Sequence, residues 1–200
     1  MKTRLTLLCL CLCLAATPTL ADKPAGKGKG AMDPAAMQEM MAKAAAPGLQ
    51  HEWLKKMVGS WDCTVKVSMD PSQPMQESKS TSVITSIMDG RYIQEDATGE
   101  MQGNPFHGMG ITGYDNVLKK FVSTWVDNAG TGIMRSEGMT DAAGKVLTFT
   151  GAMIDPATGK MMKYRMVSTV VDDDHHTFEM FNTQNGKEMK MMQIDYARKM

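Results

Sequence analysis

Gly59-Ser60-Trp61-Asp62-Cys63-Thr64-Val65-Lys66-Val67-Ser68-Met69 is the stretch that decides the fold. Trp61, Cys63, Val65, Val67 and Met69 alternate with Asp62, Thr64, Lys66 and Ser68. Successive side chains of a strand point to opposite faces, so a period of two predicts one buried and one wet face. Immediately upstream the period is different. Leu49, Trp53 and Met57 recur every four residues, which predicts a short helix with one apolar face, stopped by Gly59.

Downstream the two-residue period returns. Leu147 and Phe149 alternate with threonines, and Met162, Tyr164, Met166 and Val170 share a face opposite Lys163, Arg165 and Thr169. Phe121 to Val126 is also strand-like. Tyr114-Asp115-Asn116, Asp141 to Gly144 and Asp172 to Asp174 carry the residues that favour tight turns. In the last strand the apolar phase flips, from odd positions at Met189 and Met191 to even positions at Met192, Ile194 and Tyr196. A β-bulge near Met191 would produce this, and a strand buried on both faces is the alternative. The pattern predicts an all-β domain over residues 48–200: an antiparallel up-and-down meander of roughly eight to ten strands. Closure into a barrel would remove its exposed edges.

The N-terminal residues read differently. Lys2 and Arg4 precede an apolar run from Leu5 to Ala16, and Thr19-Leu20-Ala21 places small residues where a signal peptidase reads. Residues 1–21 are therefore expected to be a cleaved signal peptide, and the mature protein to be exported, to a periplasm in the first instance or secreted. The run is shorter than the roughly 20 residues needed to span a bilayer, and no second one follows, so no transmembrane segment is expected after cleavage. Cys9, Cys11 and Cys13 would leave with the signal. Cys63 alone would stay, which allows no internal disulfide. Residues 22–47 read as a flexible linker rich in Ala, Gly, Lys and Met, with a weak helix between Met32 and Ala46. Without Lys2 and Arg4, 20 of the 22 basic residues remain against 22 acidic ones. A net charge of −2 without a basic stripe argues against nucleic acid or an anionic membrane as partner.

Several short motifs occur in a familiar order. They are His51-Glu52-Trp53-Leu54, Gly59-Ser60-Trp61, Gly113-Tyr114-Asp115, Thr124-Trp125-Val126-Asp127, Ala142 to Leu147, Lys163-Tyr164-Arg165 and Tyr196-Ala197-Arg198-Lys199. Together, over about residues 49 to 199, they resemble the bacterial family called domain of unknown function 1579. That family is similar to lipocalin-like barrels and carries no established activity. Gly59-Ser60-Trp61 also resembles the Gly-x-Trp start of the calycin group. That resemblance implies that Trp61 closes one end of the barrel and that Arg198, from the last strand, packs over its ring.

Architecture and resemblance lead to one functional expectation: non-covalent binding of a small, mostly apolar molecule inside the barrel. His107, Trp125, Arg135 and Tyr164 are the expected lining residues. Trp125 and Tyr164 would offer apolar surface, and His107 and Arg135 would orient a polar end. The 22 methionines suggest an alternative, a Cu(I) protein using soft thioethers, with His107 and Met109, and Met189 and Met191, each two apart on one face of a strand. Packing of an irregular core is the simpler account of most of them. A second alternative is a structural barrel with a filled core. A third is an enzyme in which carboxylates such as Glu95, Asp127 and Glu137 converge. No Gly-x-Ser-x-Gly elbow, phosphate loop or His-Glu-x-x-His helix is present, and no catalytic residue, cofactor or fixed metal site is expected. His51 is expected to make a surface or capping contact on the entry helix, His175 and His176 to sit in a solvated turn, and Cys63 to be buried and inert. The oligomeric state is left open.

Cleavage after Ala21 predicts a mature chain of 179 of the 200 residues, beginning at Asp22. Intact mass and N-terminal sequencing of the protein from an extracytoplasmic fraction test this. A mass that retains residues 1–21 would refute the signal reading.

Overall fold

Alternating side chains continue beyond Gly59 for the rest of the chain, and ten strands result. The computed structural model describes residues 32–68, 73–155, 158–184 and 186–200. The signal reading of residues 1–21, the first part of the linker and Met69 lie outside them. Two helices come first, α1 (Pro34–Ala45) and α2 (Leu49–Lys55). The strands are β1 (Gly59–Val67), β2 (Gln76–Ile87), β3 (Tyr92–Met101), β4 (Asn104–Asp115) and β5 (Lys120–Asp127). They continue as β6 (Met134–Thr140), β7 (Val146–Ile154), β8 (Met161–Val170), β9 (His175–Gln184) and β10 (Lys187–Arg198).

Each strand pairs antiparallel with the next, and β10 returns to pair with β1, so the sheet is a closed barrel. Closure leaves no strand edge unpaired. Barrel diameter grows with strand number, and eight strands already allow side chains to fill the interior. Ten strands enclose more room than that.

Register fixes which face is inside. Trp61 lies opposite Arg198 on one side and Ser82 on the other. Following opposite residues around the sheet, Ile84 meets Glu95, Glu95 meets Gly110 and Gly110 meets Trp125. All of these share the inward face with Trp61. On β10 the register shifts between Lys190 and Met192, so Met191 is an extra residue and the apolar phase flips across a bulge there.

Helix α2 closes one end, the floor. Leu54, Met57, Trp61, Phe121 and Leu147 are buried there, and each large side chain contributes about 1.5–3 kcal/mol by leaving water. Polar ends are satisfied as well. Trp61 Nε1 donates to the Met57 carbonyl at 2.9 Å, and Trp53 Nε1 donates to the Gly144 carbonyl at 2.9 Å. His51 is buried and accepts the Gly48 N–H on Nδ1 at 2.9 Å, which caps the helix. The Arg198 guanidinium stacks 4.1 Å over the Trp61 ring. It also donates to the carbonyls of Val58 (3.0 Å) and Asp173 (2.9 Å). Gly59 makes this contact possible. Its φ of +151° disfavours a side chain, and a Cβ there would run into the guanidinium.

Helix α1 occupies part of the segment read as a linker. None of its residues is buried. Its end is tied to the floor turns, because Asn116 Nδ2 donates to the carbonyls of Ala44 (3.0 Å) and Ala46 (2.7 Å), and Arg91 Nε donates to that of Ala45 (3.1 Å). Among the described residues no helix is long and apolar enough to cross a membrane.

Trp61→Ala should lower stability by about 3–5 kcal/mol, the usual cost of emptying a buried aromatic site. Arg198→Lys keeps the charge but loses the planar stack, and should cost about 1–2 kcal/mol. Urea midpoints at unchanged slope measure both. Equal midpoints for Arg198→Lys and the parent would show that the stack is dispensable.

Candidate functional site

The barrel interior above the floor has two unlike walls. Along β2 to β4 the inward positions include Ser80, Ser82, Ala97, Gly99, Gly108 and Gly110, so little side-chain volume enters from that side. Across the lumen, β7 to β10 present methionines that face one another between strands: Met153 opposite Met162, Met166 opposite Met180, and Met180 opposite Met192. Inward side chains at the middle of the barrel, Val65, Trp125, Met166, Phe178 and Ile194, remain only partly buried. Accessible surface inside a closed sheet is the surface of an unfilled lumen.

Trp125 is the largest feature of that lumen. Its ring covers Gly108 and Gly110, and a Cβ on Gly110 would approach ring atom Cε3 to 2.9 Å. The glycines let the indole lie against the wall instead of crossing the space. Nε1 donates to Asp127 Oδ2 at 2.9 Å, which fixes the ring.

A polar cluster lies between this platform and the floor. Glu95 Oε1 accepts from Ser82 Oγ at 2.7 Å and from Tyr196 OH at 3.2 Å. Barrel atoms surround the carboxyl, yet it keeps accessible surface, which is lumen surface. Burial raises its pKa above the usual carboxylate range, more than the two hydrogen bonds lower it. Burial, with Glu95 beside it, pushes the Cys63 thiol up to about 12 and the Tyr196 hydroxyl well above its ordinary value. Cys63 is therefore a packing residue and no thiolate nucleophile. His176 stacks on Tyr196 with centroids 4.0 Å apart and meets Trp61 edge-on at 4.4 Å. Burial, then Arg198, pushes the imidazole down to about 4, so it is neutral near pH 7.

Four expected lining residues divide two and two. Trp125 is inward and half-buried. Tyr164 is inward but only 2% exposed. It packs over Gly151 and donates to the Arg135 carbonyl at 2.8 Å, so it seals the wall between β6 and β8. His107 and Arg135 point outward, with side chains 62% and 64% exposed. His107 lies 3.8 Å from Asp96, and Arg135 lies 3.4 Å from Glu137. The expectation that either orients a ligand in the lumen is corrected. His107 shares a phase with Met109 and Ile111, which suggested an inward face. The opposite phase, Gly108 and Gly110, is inward because only glycine leaves room for Trp125. A groove of about 550 Å³ between Lys120, Arg135, Glu137 and Thr150 lies on the outer wall, and its charges pair with one another.

Other groupings fall apart too. His107 and Met109 share the outward face of β4, away from the lumen, and the bulge between Lys190 and Met192 breaks the two-residue spacing of Met189 and Met191. Glu95 and Asp127 are inward at different levels, and Glu137 is outward, so the three carboxylates do not converge. His175 is exposed beside Asp172, as a turn residue would be, but His176 is buried, because β9 begins at His175 and sends the next side chain inward. Among the described residues no group of three or more His, Cys, Asp or Glu is arranged to hold a metal ion. Glu95 entered the sequence reading only as one of three carboxylates in a converging set, and its place in the lumen was missed. Its signal was its phase: it shares a face with Ile93, so a carboxylate stood in an apolar series.

These features define a helix-plugged, ten-stranded antiparallel barrel, with inward side chains that are only partly buried and one enclosed acid near its floor. The chain belongs to the family described as "Protein of unknown function (DUF1579)", which it matches over residues 46–198. No curated protein matches it. Among solved structures, it is similar to the S-type phycobiliprotein lyase CPES from Guillardia theta, with a TM-score of 0.54 and 11% identity. That match covers 80% of this chain and 97% of the other. It is also similar to Rv2717c from M. tuberculosis, with a TM-score of 0.52 and 12% identity, covering 78% of this chain and 100% of the other. At such identities the likeness is one of fold.

A buried neutral histidine makes stability depend on pH in one direction. The unfolded chain takes up a proton below about 6.5, whereas native His176 takes it up only near 4. Its contribution is therefore present above pH 6.5 and is lost as pH falls toward 4, by about 3 kcal/mol. Urea unfolding of the parent and His176→Phe between pH 4 and 8 isolates it. The stability difference between the two should change by roughly that amount, with the parent losing more in acid. A constant difference would refute a neutral buried imidazole.

Proposed function

We propose that the lumen binds one small, mostly apolar organic molecule without a covalent bond. We propose also that the protein does so after export, with residues 1–21 removed and residues 22–47 as the segment that precedes the barrel. One observation carries the binding reading: apolar side chains on the inward face of a closed barrel keep accessible surface. Filled cores bury such side chains, because packing is dense and empty apolar surface is unfavourable. Trp125 then serves as the apolar platform, and the methionines opposite, flexible and polarisable, adapt to the shape of the ligand. A phycobiliprotein lyase built on the same fold is consistent with this reading.

A second reading has its own support. Met166, Met180 and Met192 face one another across β8, β9 and β10 on the lumenal side. Thioethers are soft ligands, so this group favours Cu(I) over harder ions.

Native mass spectrometry of the mature protein from its own compartment, beside its denatured mass, distinguishes the two. The expected result is one organic adduct per chain that disappears on denaturation. Trp125→Ala should weaken rebinding of that adduct by about tenfold, as expected for the loss of an aromatic anchor. A copper mass lost on Met180→Leu would put the second reading first. No adduct, even after incubation with lipid extract and with Cu(I), would overturn both.

A further inference from the structure

The lumen holds a carboxyl without a counter-charge. Both side-chain donors that reach Glu95 act on Oε1, and among the described residues no side chain donates to Oε2. The groups that face it from the packed strands are Cys63 of β1, Ser82 of β2 and Tyr196 of β10, with Asp96 acting from beyond them. None is a cation. Along the described inward positions, no lysine or arginine stands between Arg198 at the floor and Lys187 in the rim hairpin. Arg198 is itself engaged, by Trp61, by the carbonyls of Val58 and Asp173, and by Asp174 at 3.3 Å. His176, the nearby imidazole, is neutral.

We infer that the lumenal ligand is an aromatic amphiphile bearing an amine. Its ammonium pairs with Glu95, and its ring lies between Trp125 and the methionine wall. This rests on the lumen-binding reading above. A buried carboxylate is costly unless paired, so enclosure favours the protonated form of Glu95. An ammonium supplies the charge that the protein lacks, and Glu95 loses a proton to solvent as the pair forms. A carboxylate ligand would meet Glu95 and Asp127 with no cation to receive it. The ring side of the ligand is set by two features: an indole held flat by Asp127, and thioethers, which make favourable contacts with aromatic rings.

Three probes with one ring system test this on the mature protein: 1-naphthylmethylamine, 1-naphthylmethanol and 1-naphthoic acid. Calorimetry near neutral pH, in two buffers of different ionisation enthalpy, reads affinity and proton release together. The amine should bind about tenfold or more tightly than the alcohol, since one buried charge pair is worth at least about one pKa unit. The acid should bind weakest. Amine binding should release protons and alcohol binding should not. Glu95→Gln keeps an acceptor for Ser82 and Tyr196. It should abolish proton release and remove the amine preference, while alcohol affinity stays within about twofold. If Glu95→Gln fails to fold, the amine-to-alcohol ratio and the proton release of the parent still decide. An amine that binds no better than the alcohol, or an acid that binds as well, overturns the amine assignment while the lumen reading stands. Failure of all three probes to bind overturns both.

Discussion

The barrel depends on the seam where its last strand returns to its first. There Arg198 lies over Trp61, directly opposite it in the β1–β10 ladder. The contact joins three parts of the chain that are far apart in sequence: the turn after α2, the start of β1 and the end of β10. Its guanidinium satisfies carbonyls of the α2–β1 corner and of the β8–β9 turn, which would otherwise lie at the barrel end with no ladder partner. A closed sheet has no free edge, but it must be held shut at a defined register. A planar cation with several donors over a buried indole provides both stacking and direction. Gly59 is the condition for the contact, since a side chain there would occupy the space of the guanidinium.

Once the register is set, the shape of the interior follows from side-chain size. Ten strands enclose more volume than an eight-stranded barrel, and the small residues of β2 to β4 decline to fill it. Trp125 lies back against two glycines rather than across the opening. The methionines opposite bring bulk without rigidity. A chain selected only for a filled core would place large, stiff side chains on both walls. The floor does so, with Trp53, Leu54, Trp61, Phe121 and Leu147 packed densely, and the lumen above it does not.

The floor also sets the electrostatics. Glu95, Tyr196, Cys63 and His176 are brought together from β3, β10, β1 and β9, and each is driven toward its neutral form by the same desolvation. Enclosure acts on all four together, and the Arg198 charge adds to it at His176. A thiolate or a phenolate nucleophile is disfavoured there, because burial stabilises the protonated forms of Cys63 and Tyr196.

Much of this was legible in the residues themselves. The change of period at Gly59, the alternating strands, the phase flip on β10 and the Gly-x-Trp start are local signals, because side-chain direction along a strand follows from backbone geometry alone. They carried the barrel and its helical plug. Which face of an ambiguous strand turns inward was not local. On β4 both phases are short of decisive residues, and His107, Met109 and Ile111 look the more apolar series. Trp125, arriving from β5 opposite Gly110, settles it, since the glycines accept an indole and the larger residues cannot. The outward turn of Arg135, the burial of His176 and the isolation of Glu95 are of the same kind. Sequence by itself determined the alternation, the turns and the strand order. Tertiary structure alone decided inside from outside on the weak strands, and with it the site, because that choice depends on how side chains from neighbouring strands fit one shared space.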